Sequence, residues 1–307
     1  MAIQTVQAII NGQTVNLTLN ATTGKYEATV TAPSASSYPQ TGHYFPVALA
    51  ATDTAGNTTT ADDTHSTLGN SLKLYVKEQV KPTAAITSPT NGARIITATP
   101  TITFTLLDNG TQSSGFSGID TSSLVIKIDG SAISETPTLT AVTGGYTGTV
   151  TLGSALTDGS HTITIDVDDF DGNSANTASA TITVDTVAPT LTLTSPADNT
   201  ETNQPTIDVE GVTSDVTSTP VTITIDLNGT DQGSVTVAQD GSFSKTVTLT
   251  QQATNTITVT ATDAAGKTTT ISRTVVHNAV GPVFKSVAIT PNPVNAGNTY
   301  KIEVEVE

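Results

Sequence analysis

The chain has 307 residues and a formal net charge of -16, with 11 Lys and Arg residues in total and no cysteine. So few basic side chains argue against a nucleic acid partner, because Lys and Arg supply most contacts to phosphates. The missing cysteines exclude disulfides and thiolate metal sites, and no stretch approaches the roughly 18 apolar residues that suggest a membrane span.

The composition favours β-strands along the whole chain. Thr, Val and Ile are frequent, Trp is absent, and 23 glycines and 14 prolines recur at short intervals. β-branched residues suit half-buried strands, whereas Gly, Pro, Asn and Asp supply tight turns. No segment has convincing helical periodicity. The chain is therefore predicted to be all-β, either one β-sandwich or a string of them.

Residues 1–80 begin with a hairpin pattern. In TVQAIINGQTVNLTLN (5–20), two alternating strands are joined by Asn-Gly, which favours a tight turn because both residues accept positive φ. The same pattern occurs in 124–152 and 221–249, where two further strands, A and B, precede it. Residues 1–80 are therefore predicted to form an incomplete domain that lacks strands A and B.

A loop before the next strand of this domain is rich in aromatic residues. Its candidate partner-contact residues are Tyr38, His43, Tyr44 and Phe45. An exposed cluster of this kind could stack on a sugar or contact a protein. The alternative is a corner tyrosine, whose hydroxyl bonds to the main chain near the start of the sixth strand of a sandwich.

Residues 81–187 and 188–280 repeat one pattern. Each opens with a proline, a strand, a loop rich in Pro, Asn and Gly, and a second strand. Each closes with a strand, an Asp, a Gly-containing turn and a return strand. The opening prolines lie about 100 residues apart, which is the size of one sandwich. Each range is predicted to be one complete domain, joined to the next by a short linker that proline stiffens.

The closing turn of residues 81–187 is a candidate calcium site. Its carboxylates are Asp166, Asp168, Asp169 and Asp171. Hard oxygens at this spacing could hold Ca²⁺, although Phe170 interrupts the alternation and no Glu follows at the twelfth position of an EF-hand loop. Turn capping by Asp is the favoured interpretation, because Asp53 and Asp263 stand alone in similar turns. Asp185 in the linker is a further candidate for an interdomain calcium site; no other cofactor is expected.

Residues 281–307 contain the opening A and B pattern and nothing after it. An isolated strand pair is marginally stable in water, and a sandwich without A and B exposes an apolar face. We therefore predict that this pair docks as donated strands on residues 2–80 of another copy or of a related protein. Its donor side chains would be Val287, Ile289, Tyr300, Ile302, Val304 and Val306. The alternative is a reduced first domain and a loose terminal segment.

The inventory of reactive residues argues against an enzyme. The histidines are scattered: His43, His65, His161 and His277. None has the paired spacing of a metal-binding helix. Ser160 and His161 are chain neighbours, which places their side chains on opposite faces of a strand. No catalytic residue is predicted.

Two segments resemble Ig-like structural proteins encoded among the tail genes of tailed phages and prophages of Gram-positive bacteria. They are GKYEATVTAPSASSYPQTGHYFPVALAATDTAGNTTT with LGNSLKLYVKE, within residues 24–78, and ITPNPVNAGNTYKIEVEV (289–306). The central repeats resemble bacterial Ig-like domains, which occur in adhesins and beside glycosidases. The resemblance implies tandem immunoglobulin-like β-sandwich domains over nearly the whole chain.

Three functions remain open. The first is a tail or baseplate component or decoration that assembles through its complementary ends. It would be located in the virion, made in the host cytoplasm and released by lysis, since MAIQTVQAII lacks the pattern of a secretory signal. The second is an adhesin or stalk at the bacterial cell surface, and the third is a carbohydrate-binding accessory module. The expected partners are other copies of the chain, other virion proteins, or a host surface glycan.

Overall fold

The computed structural model describes residues 2–108 and 115–307. Within these ranges the regular structure consists of β-strands and two short 3₁₀ helices, Thr41–His43 and Gly69–Leu72. No helix in the described ranges has the length and apolar character that would let it span a membrane. The chain divides into two compact units, Met1–Val184 and Asp185–Glu307. The prediction of an all-β chain is confirmed.

One antiparallel sheet, here called the N-terminal sheet, contains the first six strands. These are β1 (Ile3–Ile10), β2 (Gln13–Asn20), β3 (Lys25–Glu27), β4 (Phe45–Asp53), β5 (Thr58–Ala61) and β6 (Lys73–Leu74). The strand order is β3-β2-β1-β4-β5, and β6 pairs with the start of β4. Asn11 and Gly12 join β1 to β2 with φ values of 48° and 74°, which is the positive-φ turn expected of Asn-Gly.

One face of the N-terminal sheet is apolar and incompletely covered. Strand pairing and alternation place these side chains on it: Val6, Ala8, Ile10, Val15, Leu17, Leu19, Val47, Leu49 and Ala51. Ala8 is buried, as is Phe45 at the start of β4 on the same face, whereas Leu19 is 57% exposed. Loop residues Val30 and Pro33 cover part of the face and border a cavity of about 240 Å³. In the part of the chain that the structure describes, no second sheet packs against this face.

The next nine strands form a two-sheet sandwich, here called the first sandwich. These are β7 (Thr83–Ser88), β8 (Arg94–Ile95), β9 (Thr101–Leu107), β10 (Ile119–Ile128), β11 (Ser131–Ala132), β12 (Thr138–Val142), β13 (Gly145–Thr151), β14 (Gly159–Asp169) and β15 (Ala178–Val184). One sheet has the order β12-β13-β9-β7 and the other β11-β10-β14-β15-β8. Strands β8 and β15 are parallel, whereas the other pairs are antiparallel.

A second sandwich repeats this arrangement. Its strands are β16 (Thr190–Ser195), β17 (Thr200–Thr202), β18 (Thr206–Ser214), β19 (Thr222–Leu227), β20 (Thr230–Asp231), β21 (Ser242–Thr248), β22 (Thr254–Thr262) and β23 (Thr268–His277). One sheet has the order β16-β18-β21 and the other β17-β23-β22-β19-β20. The sheet β3-β2-β1-β4-β5 differs from both sandwiches, because β3 pairs with β2, whereas β13 and β21 pair with strands of the opposite sheet.

Alternating apolar side chains form the core of each sandwich. Ile102, Phe104 and Leu106 on β9 are at most 1% exposed, and they pack against β14 and β15. In the second sandwich, Val209, Ile225 and the apolar residues of β22 take the same role. Burying each such side chain contributes about 1.5–3 kcal/mol, so the period-2 pattern decides which face of each strand turns inward.

The last two strands form an antiparallel hairpin, here called the C-terminal hairpin. They are β24 (Phe284–Thr290) and β25 (Lys301–Val306), and all of their residues are exposed. Val287 lies opposite Val304 and Ile289 opposite Ile302. Ser286 and Ala288 lie opposite Glu305 and Glu303 on the other face. The hairpin therefore has one apolar face and one polar face, and both are open to solvent.

Candidate functional sites

The aromatic loop forms a stack of three rings. The ring of Tyr38 lies 4.2 Å from that of His43 and 4.3 Å from that of Phe170, with interplanar angles of 22° and 7°. The buried Ser37 holds the loop in place, because its hydroxyl donates to the carbonyl of His43 and accepts from the amide of Val76. Phe170, which interrupts the acidic run in the sequence, is thus part of this surface.

Tyr44 belongs to a separate group beside the stack. Its hydroxyl donates to Asp63 at 2.7 Å, and this hydrogen bond raises the pKa of Tyr44. Its ring lies edge-on to Tyr75 at 6.0 Å and beneath the Lys73 ammonium at 5.0 Å. The corner-tyrosine interpretation is wrong for Tyr44, because its hydroxyl bonds to a carboxylate and not to the main chain. Phe45 was expected to contact a partner, but it is only 4% exposed and is therefore a core residue.

The four acids of the candidate calcium run do not converge on one point. Asp166 and Asp168 lie on one face of β14, whereas Asp169 lies on the core-facing side, because alternate residues of a strand point in opposite directions. Asp166 accepts a hydrogen bond from Thr177 at 2.6 Å and pairs with Lys127 at 2.9 Å, and these two contacts hold the pKa of Asp166 below its usual range. The run therefore does not form a single calcium site, which was the alternative to turn capping.

Asp169 instead meets two acids from elsewhere in the first unit. Oxygens of Glu78, Asp108 and Asp169 all lie within 4.8 Å of one another. Asp108 follows β9 and is 3% exposed, and Asp169 is the last residue of β14 and is 2% exposed. Glu78 precedes β7, and the backbone amide of Glu78 donates to Asp171, which fixes this segment against the turn. Burial, the Asp169 carboxyl and the charge of Asp108 raise the pKa of Glu78 to about 7.

A second cluster of three acids occupies the same place in the second sandwich. Oxygens of Asp185, Asp215 and Asp263 also lie within 4.8 Å of one another. Asp185 precedes β16, Asp215 follows β18, and Asp263 follows β22 in the turn to β23. Each cluster therefore combines an acid before the first strand, an acid after the second long strand, and the Asp of the closing turn. Asp185 is fully buried and Asp263 is 5% exposed.

Sequence reasoning missed Glu78, Asp108 and Asp215 as members of these clusters. A signal was present, because an acid follows the second strand in both repeats, in TLLD (105–108) and VTSD (212–215). The side chains that were expected to donate strands are, by contrast, where the alternation places them. Val287, Ile289, Tyr300, Ile302, Val304 and Val306 are each 43–61% exposed on the C-terminal hairpin and the turn before β25.

The chain is similar to known proteins in both sandwiches. A family model described as a bacterial Ig-like domain matches residues 95–186, and one described as glucodextranase, domain B, matches residues 189–279. Fibronectin(III)-like modules of Clostridium thermocellum CbhA are 18% identical, with a TM-score of 0.39, over 64% of this chain and 94% of theirs. A titin I-band fragment is 11% identical, with a TM-score of 0.44, over 90% of this chain and 88% of its own.

No curated protein sequence matches the chain. The matched range 189–279 spans all strands of the second sandwich, and the range 95–186 spans β9 to β15 of the first sandwich without β7. The chain is a protein of tandem Ig-like β-sandwiches, as the sequence predicted, and such repeats are structural or interaction modules.

Proposed function

We propose that the chain is a non-enzymatic structural protein that assembles with other proteins through its apolar β-surfaces, as a component or decoration of a phage or prophage tail or baseplate. The observation that carries the proposal is the C-terminal hairpin. Its apolar face exposes Val287, Ile289, Ile302 and Val304 to solvent as one continuous patch. Contiguous apolar patches of this kind mark interaction sites on soluble proteins.

The incompletely covered face of the N-terminal sheet is a suitable partner for this hairpin. In the first sandwich, the antiparallel pair β7 and β9 belongs to the sheet that covers the face of β10, β14 and β15. The pair β24 and β25 is also antiparallel. Each pair contains one register shift, which lies at the end of β7 in the first pair and at the start of β24 in the second. Donation of the hairpin to the N-terminal sheet of a second copy would bury apolar surface on both sides.

Light scattering of the purified chain tests the assembly. Replacing Ile302 and Val304 together by Lys places two charges on the apolar face, so we expect a fall in mass toward the monomer. The matched control replaces Ser286 and Ala288 by Lys on the opposite face, beside Glu305 and Glu303, and should keep the mass of the unaltered chain. A chain that is already monomeric, or a mass that the Ile302 and Val304 changes leave unaltered, would contradict assembly through the hairpin.

The assignment to a virion rests on the resemblance of residues 24–78 and 289–306 to tail-encoded Ig-like proteins. Immunogold electron microscopy of phage particles from a producing strain is the direct test. Labelling at tails or baseplates is the expected result. Labelling of the bacterial envelope alone would favour the adhesin or stalk instead.

A carbohydrate-binding accessory module is the second candidate. The match of residues 189–279 to a glucodextranase domain B favours it, because that domain belongs to a carbohydrate-active enzyme. The stack of Tyr38, His43 and Phe170 is a surface on which a sugar ring could lie. Glycan-array binding that is lost in Tyr38→Ala or Tyr44→Ala would support this function, and an array without signal would remove it.

A further inference from the structure

The two acidic clusters contain carboxylate oxygens that nothing in the protein satisfies. In the described ranges, Asp185 Oδ2 and Asp263 Oδ2 are buried and have no hydrogen-bond partner, and the same holds for Asp108 Oδ1 in the other cluster. Each belongs to a side chain at most 5% exposed. Burying an unpaired charged oxygen is costly, so proteins pair such groups or bind a metal ion to them.

The capping of the closing turn does not explain why Asp263 Oδ2 has no partner. Asp53 occupies the same turn position in the N-terminal sheet, where Oδ1 accepts from the amides of Ala55 and Asn57 and Oδ2 accepts from the Asn57 side chain. Asp263 Oδ1 accepts from Ala265 and Lys267 in the same way, and Oδ2 is left over. Turn capping therefore accounts for one oxygen of Asp263, and the second points to another ligand.

Basic side chains do not neutralise the second cluster. Lys267 stands where Asn57 stands in the first turn, but its ammonium donates to the carbonyl of Thr186 at 2.7 Å. Among the residues that the structure describes, no ion pair joins a Lys, Arg or His to any of the six clustered acids. Three carboxylates thus converge without a positive charge of the protein to balance them.

We propose that Asp185, Asp215 and Asp263 bind a divalent cation of the calcium class, and that Glu78, Asp108 and Asp169 form a second site of the same kind. Both sets offer only carboxylates, and hard oxygen ligands suit Ca²⁺, whereas zinc sites are usually built with His or Cys. The recurrence of the arrangement at equivalent positions of two sandwiches makes a chance cluster a poor explanation. Each ion joins the segment before a sandwich to two of its strand ends.

Calorimetric melting of the full chain tests the proposal, in EDTA and in about 5 mM CaCl₂. Ca²⁺ is expected to raise the melting temperature of the second sandwich by about 5 °C or more, because the ion binds the folded state alone. Asp263→Asn and Asp185→Asn keep the size of the side chain and remove one charge. We expect both variants to melt higher than the unaltered chain in EDTA and to lose most of the calcium response.

Asp53→Asn is the matched control, because it changes the same turn position outside both clusters and should keep the full response. Isothermal titration with Ca²⁺ should give two sites per chain, and Asp108→Asn should remove one of them. Circular dichroism in EDTA verifies that each variant is folded. Equal melting of the unaltered chain in EDTA and Ca²⁺, or a full calcium response in Asp263→Asn and Asp185→Asn, would overturn the proposal.

Discussion

His161 has an oxygen acceptor on each side of its ring. Nδ1 lies 2.7 Å from the Asp129 carboxylate and Nε2 lies 2.8 Å from the Thr157 carbonyl. Neither partner can donate, so both ring nitrogens must carry protons, and the side chain is the imidazolium. Burial acts against this charge, but the contacts with Asp129 and Thr157 together raise the pKa of His161, and the amide of Thr162 and the His161 ring lower the pKa of Asp129.

The first sandwich should lose stability when this pair is neutralised from either side. The stabilisation by His161 is present below pH 6.5 and is lost as the pH rises through its raised folded pKa, whereas that by Asp129 is lost as the pH falls through its lowered pKa below 3.8. We expect a loss of about 1 kcal/mol at the alkaline side, measured by urea unfolding between pH 6 and pH 9.

The second sandwich has uncharged residues at the positions of this pair, and they suggest a control variant for the pH dependence. There Asn228 and Asn255 replace the charged pair, and Asn228 Oδ1 accepts from the Thr256 amide just as Asp129 accepts from Thr162. The double variant Asp129→Asn with His161→Asn should lose the part of the pH dependence that comes from the pair and keep the part that comes from Glu78, whose pKa is about 7. An unchanged pH dependence of the first sandwich in that variant would contradict the role assigned to the pair.

Some of these residue roles could be predicted from the sequence. The turn-capping role of Asp53 and Asp263 was predictable, because each carboxylate accepts hydrogen bonds from the amides two and four residues later in the chain. The meeting of Glu78 with Asp108 and Asp169 was not, because it depends on which strand ends lie side by side after the sheets pack. The pattern of apolar residues determines which face of a strand turns toward the core, but it does not determine which strands lie beside it.

Strands β9 and β13 contain a pairing that is reversed in the second sandwich. Gly148 of β13 lies opposite Phe104 of β9, whereas in the second sandwich Gly211 of β18 lies opposite Phe243 of β21. A Cβ atom added to Gly148 would lie 2.1 Å from the Phe104 ring, and one added to Gly211 would lie 2.6 Å from that of Phe243. In both cases the ring covers the glycine backbone, and no larger residue fits without displacing it.

Gly148→Ala should therefore lower the free energy of unfolding of the first sandwich by about 2 kcal/mol, because the methyl group and the Phe104 ring cannot share the space. Chemical denaturation followed by circular dichroism measures the change. Gly281→Ala is the control, since nothing lies within 4 Å of its added Cβ, and it should change stability by less than about 0.5 kcal/mol. Equal effects of the two substitutions would show that Phe104 can move aside.

The long strands of both sandwiches were predictable, because strands of six residues or more, such as β9, β14 and β22, show a clear alternation of apolar residues. The partner of β3 was not. β3 has the place in the chain that β13 and β21 have in the sandwiches, where they pair with β9 and β18, yet β3 folds back on β2. Its three residues carry too little alternation to specify a partner, so the nearest strand along the chain prevails.

At the scale of the whole molecule, net charge and apolar surface have opposite effects on the association of copies of the chain. The chain carries a net charge of -16, so copies repel one another, while the C-terminal hairpin offers apolar surface for contact. Raising NaCl from about 0.05 to 0.5 M shortens the range of repulsion and leaves apolar contact intact. We expect the mass measured by light scattering to rise over this range. A mass that falls with salt would instead indicate contact through ion pairs.

The reversed glycine and phenylalanine positions also affect how repeats with similar patterns stay apart while the chain folds. If β9 paired with β21, Phe104 would meet Phe243, and if β18 paired with β13, Gly211 would meet Gly148. The first error crowds two rings and the second leaves a hole, so each strand is matched in shape to the partner in its own sandwich. Tandem repeats invite exchange of strands between neighbours. In this chain Gly and Phe occupy opposite strands in the two sandwiches, and this difference in shape disfavours the exchange of strands. Refolding of Gly211→Phe should therefore give more aggregate than refolding of the unaltered chain.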